Sequence, residues 1–349
     1  CISSAASDVY KRQFYMKRKW IRRVSWILLT PVLLFVILMI LLYIPPVQNL
    51  LRREVTAYAS KATGMQIQVE RIDLRFPLNL LVRGVEVIQQ PDTLLSLESL
   101  NVRVQAWPLV KGKVEVDEVT LSQVAFNSAN LIEGMKIKGV LGRFFLQSHG
   151  VDLSNELAVI NQTELSDTHV QMLMNDTTTT PKDTTASAPV NWKVDLHKLK
   201  LKNVSFSMQL PADSMRMAAH IGEAFINDAQ ADLKNQFYEL KQFLLSGSSA
   251  NYDTGAAKPG EGFDASHIAV RDIRIGLDSL LYKGRDMNAV IREFSMNERS
   301  GLSITSLTGR AFSNDSIIRI PGIKLQTPHS EIDLSAQTYW ELVNIPTTG

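Results

Sequence analysis

Val194-Asp195-Leu196-His197-Lys198-Leu199-Lys200-Leu201 decides the fold. Apolar and polar residues alternate on each side, as in a strand with one apolar face, but Leu196 and Leu199 are three apart. The same form recurs in Ile67, Val69, Ile72, Leu74 and in Leu95, Leu97, Leu100, Val102. It returns in Val114, Val116, Val119, Leu121, then in Ile268, Val270, Ile273, Ile275, and in Ile318, Ile320, Ile323, Leu325. Leu302, Ile304 and Leu307 make a partial copy, and Val124 with Phe126, or Val204 with Phe206, repeat the three-residue step. In a regular strand that step moves the apolar set to the other face. A β-bulge would keep both apolar pairs on one side and bend the strand. Alternatively the strand passes between the two layers of a sandwich. The bulge is the favoured reading, because its recurrence would curve one sheet consistently. The predicted class is mainly β: an elongated, curved, mostly antiparallel sheet.

Working outward, Trp26 to Ile44 is an uncharged run of 19 residues preceded by seven Lys or Arg between Lys11 and Arg23. At about 1.5 Å per residue such a helix spans the roughly 30 Å hydrocarbon core of a bilayer. Trp26, Leu34, Phe35, Leu41 and Tyr43 are its anchor residues, and the basic segment 16–25 is expected to stay cytoplasmic. A cleaved signal peptide is the rival, but Ile44-Pro45-Pro46-Val47-Gln48 has no small-residue cleavage site. Residues 1–15 precede Met16, a natural start, and are expected to be a non-native or disordered tail. Residues 47–63 predict a short amphipathic helix, with Val47, Leu50, Leu51, Val55, Tyr58 and Ala62 on one stripe and Gly64 ending it. That stripe is expected to pack on the following sheet; the alternative is a helix lying on the membrane. Residues 65–349 form the β body, which the abrupt end at Gly349 suggests is truncated.

Composition narrows the function. Without residues 1–23 the chain keeps 30 basic against 34 acidic residues, from totals of 37 and 35 less seven and one. Nucleic acid therefore has no electrostatic footprint beyond the membrane. Cys1 is the single cysteine, so no intramolecular disulfide forms. The six histidines are scattered without metal-ligand spacing, and no nucleophile elbow, phosphate loop or dinucleotide fingerprint occurs. No enzyme, cofactor or metal site is expected. The pattern lapses near 150–190, where Thr177 to Thr180 and Pro181 predict a flexible insert, and near 247–262, where Gly247-Ser248-Ser249 predicts a loop. Tyr238, Leu240 and Leu244 favour a strand over the helical spacing of Leu233, Phe237, Leu240 and Leu244.

Several segments resemble the AsmA/TamB family. They are Ile44-Pro45-Pro46-Val47-Gln48, Gly64-Met65-Gln66-Ile67 and Arg71-Ile72-Asp73-Leu74-Arg75-Phe76-Pro77. They continue with Gly84-Val85-Glu86-Val87 and Trp107-Pro108-Leu109-Val110-Lys111-Gly112-Lys113-Val114-Glu115-Val116. The resemblance covers residues 16–130 and recurs more weakly at 191–210, 263–280 and 317–335. It implies an inner-membrane-anchored periplasmic protein whose sheet folds into a taco-like apolar groove conducting phospholipids toward the outer membrane. It also implies an outer-membrane barrel partner, met through a C-terminal region this chain lacks. The second reading is therefore a scaffold for outer-membrane protein assembly or secretion. The expected groove lining is Ile67, Val69, Ile72, Leu74, Leu100, Val102, Val114, Val116, Val119, Leu121, Val194, Leu196, Leu199 and Leu201, continuing with Ile268, Val270, Ile273, Ile275, Ile318, Ile320, Ile323 and Leu325.

Overall fold

A computed structural model describes Thr30, Leu33, Ile37, Ile40 and residues 44–75, 78–105, 115–132, 134–152, 156–174, 191–255 and 258–342. The segments expected at 1–15 and 16–25, the anchor residues Trp26, Leu34, Phe35, Leu41 and Tyr43, and Val114 lie outside the described residues. No helix among the described residues is long and apolar enough to cross a membrane.

The chain enters through helix α1 (Pro45–Thr63), where two prolines suit the first turn, whose N–H groups lack helical partners anyway. Gly64 closes the helix in the left-handed region at φ +71°, its N–H donating to Ser60 O at 2.9 Å. Among the described residues, fifteen strands then build one curved sheet. They are β1 (Gln66–Arg75), β2 (Asn79–Gln89), β3 (Asp92–Val104), β4 (Val116–Asn127), β5 (Met135–Asp152), β6 (Leu157–Met174), β7 (Lys193–Leu210) and β8 (Met215–Asp232). The rest are β9 (Phe237–Asp253), β10 (His267–Lys283), β11 (Asp286–Glu298), β12 (Ser303–Ile304), β13 (Ser306–Ser313), β14 (Ile317–Gln326) and β15 (Glu331–Tyr339). Spatial order follows chain order, with β12 a short side branch on β11. Every pairing among the described strands is antiparallel except β6 with β7. Fourteen strands on the main path give thirteen intervals, roughly 60 Å at the usual strand spacing.

Two expected loops are narrower than the sequence suggested. Strand β6 occupies Leu157–Met174 inside the segment expected as an insert, and 175–190 lies outside the described residues. Thr163 and Thr168 on β6 interrupt the apolar alternation, so the strand was hidden. Gly247-Ser248-Ser249 is not a loop either. Gly247 sits inside β9 at φ +60°, a strand kink needing the left-handed region rather than a chain reversal.

The helix also meets the sheet differently from expectation. Its polar residues face β1. Gln48 Nε2 donates to Leu74 O at 3.3 Å, and Arg52 Nη1 donates to Val69 O at 3.3 Å and Glu70 O at 2.8 Å. Ser60 Oγ accepts the Ile67 N–H at 3.1 Å. Among the described residues, β1 is the first strand of the sheet and has a strand partner only on its β2 side. The outer backbone groups of β1 therefore need acceptors and donors, and a polar helix face supplies them. Much of the apolar stripe is left out of the contact: Leu50 is 60 %, Val55 46 % and Tyr58 78 % exposed, while Val47 at the start of the helix is half-buried.

Candidate functional site

The repeated three-residue step is the element that shapes the apolar face. Within Ile268 to Ile275 the step falls on Arg271-Asp272, where Asp272 adopts φ +54° and the pairing with both neighbours shifts register. Arg271 and Asp272 are both exposed, while Val270 and Ile273 on either side are half-buried. Both apolar pairs therefore stay on one face, as a bulge requires. Ile320 and Ile323 flank a similar shift at Pro321-Gly322.

Elsewhere the step takes another form. The pairings Val69 with Val85 and Arg71 with Arg83 place Glu70 opposite Gly84, and the register is unbroken. Both strands take the extra residue at the same level, and Gly84 alone turns left-handed at φ +58°. The same level continues across the sheet. Gln123 (φ +49°), Asp167 (φ +51°), Asn203 (φ +53°) and Gly247 (φ +60°) occupy it on β4, β6, β7 and β9. Between them come Glu98, Gly142 and Gly222, whose neighbours pair across without interruption. Glycine is required at two of these: a Cβ on Gly142 would lie 2.7 Å from Asp167 Cβ, and one on Gly222 would lie 2.6 Å from Gly247 O.

A second row runs parallel to the first. Asp117 is the extra residue of β4 against β3, and the β5–β6 pairing shifts at Ser148. Asp228 on β8 (φ +47°) faces His197 on β7, and Asp278 lies at the shift between Leu277 and Ser279. His197 Nδ1 is 3.1 Å from Asp228 Oδ1, and Lys241 Nζ is 3.7 Å from Asp228 Oδ2. The His197 hydrogen bond, followed by the charge of Lys241, holds the Asp228 carboxyl below its usual range. Along β7 the rows cross at His197-Lys198 and Lys202-Asn203, five residues apart, or roughly 17 Å of strand.

Between the rows the apolar residues form ladders at right angles to the strands. Ile72, Val82, Leu100, Leu121, Phe144, Leu165, Leu201, Ala224, Leu245 and Ile275 are successive cross-strand partners from β1 to β10. A neighbouring ladder carries Leu74, Leu80, Val102, Val119, Leu146, Thr163, Leu199 and Ile226. Beyond the first row, Ile67 pairs with Val87 and Val270 with Ala250. Beyond the second, Val194 and Leu196 face Ala231 and Ala229. Ile318, Ile320, Ile323 and Leu325 fall on β14, away from the β1–β10 ladders but with the same alternation.

No second layer covers this face among the described residues: substantial contacts join hydrogen-bonded strands, plus α1 on β1. Of the described residues expected to line a groove, only Ile72 is buried, and all the others are half-buried. Among the described residues, no large side chain is fully buried. An open apolar hollow of about 180 Å³ lies where Ala219 and Ala250 meet, bordered by Phe206, Met217, Ile268 and Val270. The small alanines leave space that the larger neighbours do not fill. Among the described residues, no three His, Cys, Asp or Glu side chains converge as metal ligands.

Sequence reading missed several contributors. Leu80, Val82, Val85 and Val87 on β2 carry the same spacing around Arg83-Gly84, a signal that was legible. Phe144, Leu165 and Leu245 also join the ladders. Ala224, Ala229 and Ala231 on β8 gave little signal, because alanine marks an apolar face weakly. No protein-family model matches this chain, and no curated protein matches it significantly.

Proposed function

We propose that this chain is a membrane-anchored, periplasmic lipid-transfer protein of the AsmA/TamB kind, its apolar sheet face forming a taco-like groove for phospholipid tails. The observation that carries the reading is the ladder from Ile72 to Ile275: continuous across ten strands, half-buried at every member but the buried Ile72 and Ala224, and without a covering layer among the described residues. Its nine intervals extend roughly 43 Å at the usual strand spacing, against about 15 Å for the tails of one leaflet. A single-lipid pocket does not need that length; a file of lipids does. Each CH₂ exposed to water costs about 0.8 kcal/mol, so a conduit must cover the tails along its whole path. Half-buried Leu199 and Leu201 supply such cover, while exposed Lys200 and Lys202 alternate with them along β7. The work is passive shielding and requires no catalytic group.

Photo-crosslinking in cells tests this. A photoreactive residue at Leu201 or Leu245 should yield phospholipid adducts detected by mass spectrometry, and one at Lys200 should not. Equal lipid labelling at Leu201 and Lys200, or none at either, would reject the reading.

A second reading, an assembly scaffold for outer-membrane proteins, is favoured by β15. Its outer edge has no strand partner among the described residues, and Ile332 and Leu334 are 51 % and 49 % exposed. Such an edge can pair with a client strand. Protein adducts at β15, with no lipid adducts at Leu201, would put this reading first.

A further inference from the structure

The orientation of α1 is fixed by its polar seam, so the fate of its opposite side can be argued. Gln48, Arg52 and Ser60 are held on the β1 edge by hydrogen bonds of 2.8 to 3.3 Å. Leu50, Val55 and Tyr58 consequently point away from the sheet and stay exposed. Helices of water-surrounded proteins bury such a stripe, since each large apolar side chain gains from leaving water. Nothing in the described chain does so here.

We infer that this stripe lies on the surface of a phospholipid bilayer, docking the β1 end of the sheet against the membrane. Continuity of the chain names the occupant. The uncharged run 26–44 ends at Ile44, immediately before Pro45 opens the helix. If that run crosses a bilayer, α1 starts at the interface, and its 19 residues extend about 28 Å from the exit point. Charge agrees: Arg53 and Lys61 are exposed against a single carboxylate, Glu54, which favours anionic headgroups. Tyr58, with an apolar ring and a polar tip, suits the headgroup level. The consequence is directional. Ile72 and Leu74, the first rungs of the ladders, stand beside the membrane, and later strands stand progressively farther away.

The inference rests on the membrane-anchored reading proposed above, and the experiment separates the two. In full-length Cys1→Ser protein, single cysteines at Leu50, Tyr58 and, as a control, Ser335 carry an environment-sensitive fluorophore. The protein is reconstituted in phosphatidylcholine–phosphatidylglycerol vesicles. Flotation with the vesicles reports the anchor. Labels at 50 and 58 should then be quenched by doxyl-labelled lipid and be several-fold less accessible to aqueous iodide than the label at 335. Floating protein whose labels at 50 and 58 meet iodide as freely as the control would overturn the inference alone. Labels shielded from both quenchers would mean that protein covers the stripe, which also overturns it. Protein that fails to float would overturn the anchored reading and this inference with it.

Discussion

Asn203 Nδ2 on β7 donates to Asp167 Oδ1 on β6 at 2.8 Å, and both residues hold left-handed backbones, at φ +53° and +51°. They stand at the one parallel pairing among the described strands, where ladders tend to be slightly less stable per residue. Asn and Asp tolerate this conformation better than other non-glycine residues, because short polar side chains bond locally. The pair thus fixes the step on both strands at once, in a sheet whose curvature depends on the steps staying aligned.

Asn203→Val should therefore cost about 2 kcal/mol, from the lost hydrogen bond and a β-branched residue in the left-handed region. Asn203→Gly loses the bond but relieves the backbone, so it should cost well under half as much. Denaturant unfolding of both variants checks the order; equal losses would show that the hydrogen bond alone matters.

Gly222→Ala tests the same row from the steric side. Its new Cβ would meet Gly247 O at 2.6 Å and Ser246 O at 2.9 Å, both backbone atoms that cannot rotate away. A loss of about 1–3 kcal/mol is expected, as for other overpacked sites. Gly260→Ala, whose Cβ has only Asp264 Oδ2 at 3.8 Å, serves as the neutral control.

These rows mark what the sequence could and could not convey. The alternation of apolar residues broken by a three-residue step correctly signalled strands with a shared phase shift, as at Val270 and Ile273. It could not distinguish a bulge in one strand from a step taken by two partners together. At Glu70 and Gly84 only the partner turns left-handed, and nothing near Glu70 announces that. Nor did the pattern indicate which side of α1 meets the sheet. Hydrophobic periodicity assumes that a helix buries its apolar face, whereas the unpaired edge of β1 needs hydrogen bonds. Gln48 and Arg52 provide them, and that local requirement prevails.

Acid should loosen the turn that joins β11 to β12. Hydrogen bonds from Ser300, then from the N–H groups of Ala269 and Arg299, hold the Glu298 carboxyl below its ordinary 4.5. N–H groups of Gly260 and Ser266, followed by His267, hold Asp264 below 3.8. A carboxyl lowered in the folded state stabilises the fold above its unfolded pKa, and the benefit is lost as pH falls through the folded value. Stability should be level above about pH 5 and decline below pH 4.5. Glu298→Gln should be less stable at neutral pH and show a shallower acid decline; an unchanged slope would exclude Glu298 as a source.

Arg52→Ala should expose the β1 edge. It removes the donor to Val69 O and Glu70 O, worth about 1–3 kcal/mol for a charged donor. An uncovered edge recruits other strands. Concentration-dependent association of the purified full-length variant, measured by sedimentation velocity in detergent, is expected. A variant that stays as monodisperse as the parent would show that the remaining bonds of Gln48 and Ser60 suffice.

Ile72 and Leu201 belong to one ladder yet differ in surroundings, and that difference makes them the sharpest paired test of an open face. Ile72 is 7 % exposed, near the α1-covered edge, whereas Leu201 is half-buried in mid-sheet. A charge placed where water is excluded costs several kcal/mol, but one that can reach solvent costs far less. Ile72→Asp should thus lose more than about 3 kcal/mol, and Leu201→Asp about 1 kcal/mol with an unchanged far-ultraviolet spectrum. If tails lie along the ladder, Leu201→Asp should also lower copurifying phospholipid several-fold, since a carboxylate interrupts the apolar file. Cooperative unfolding and loss of β structure in Leu201→Asp would instead place Leu201 in a closed core. Retained structure with undiminished phospholipid would remove the ladder from the lipid path, whatever the shape of the sheet.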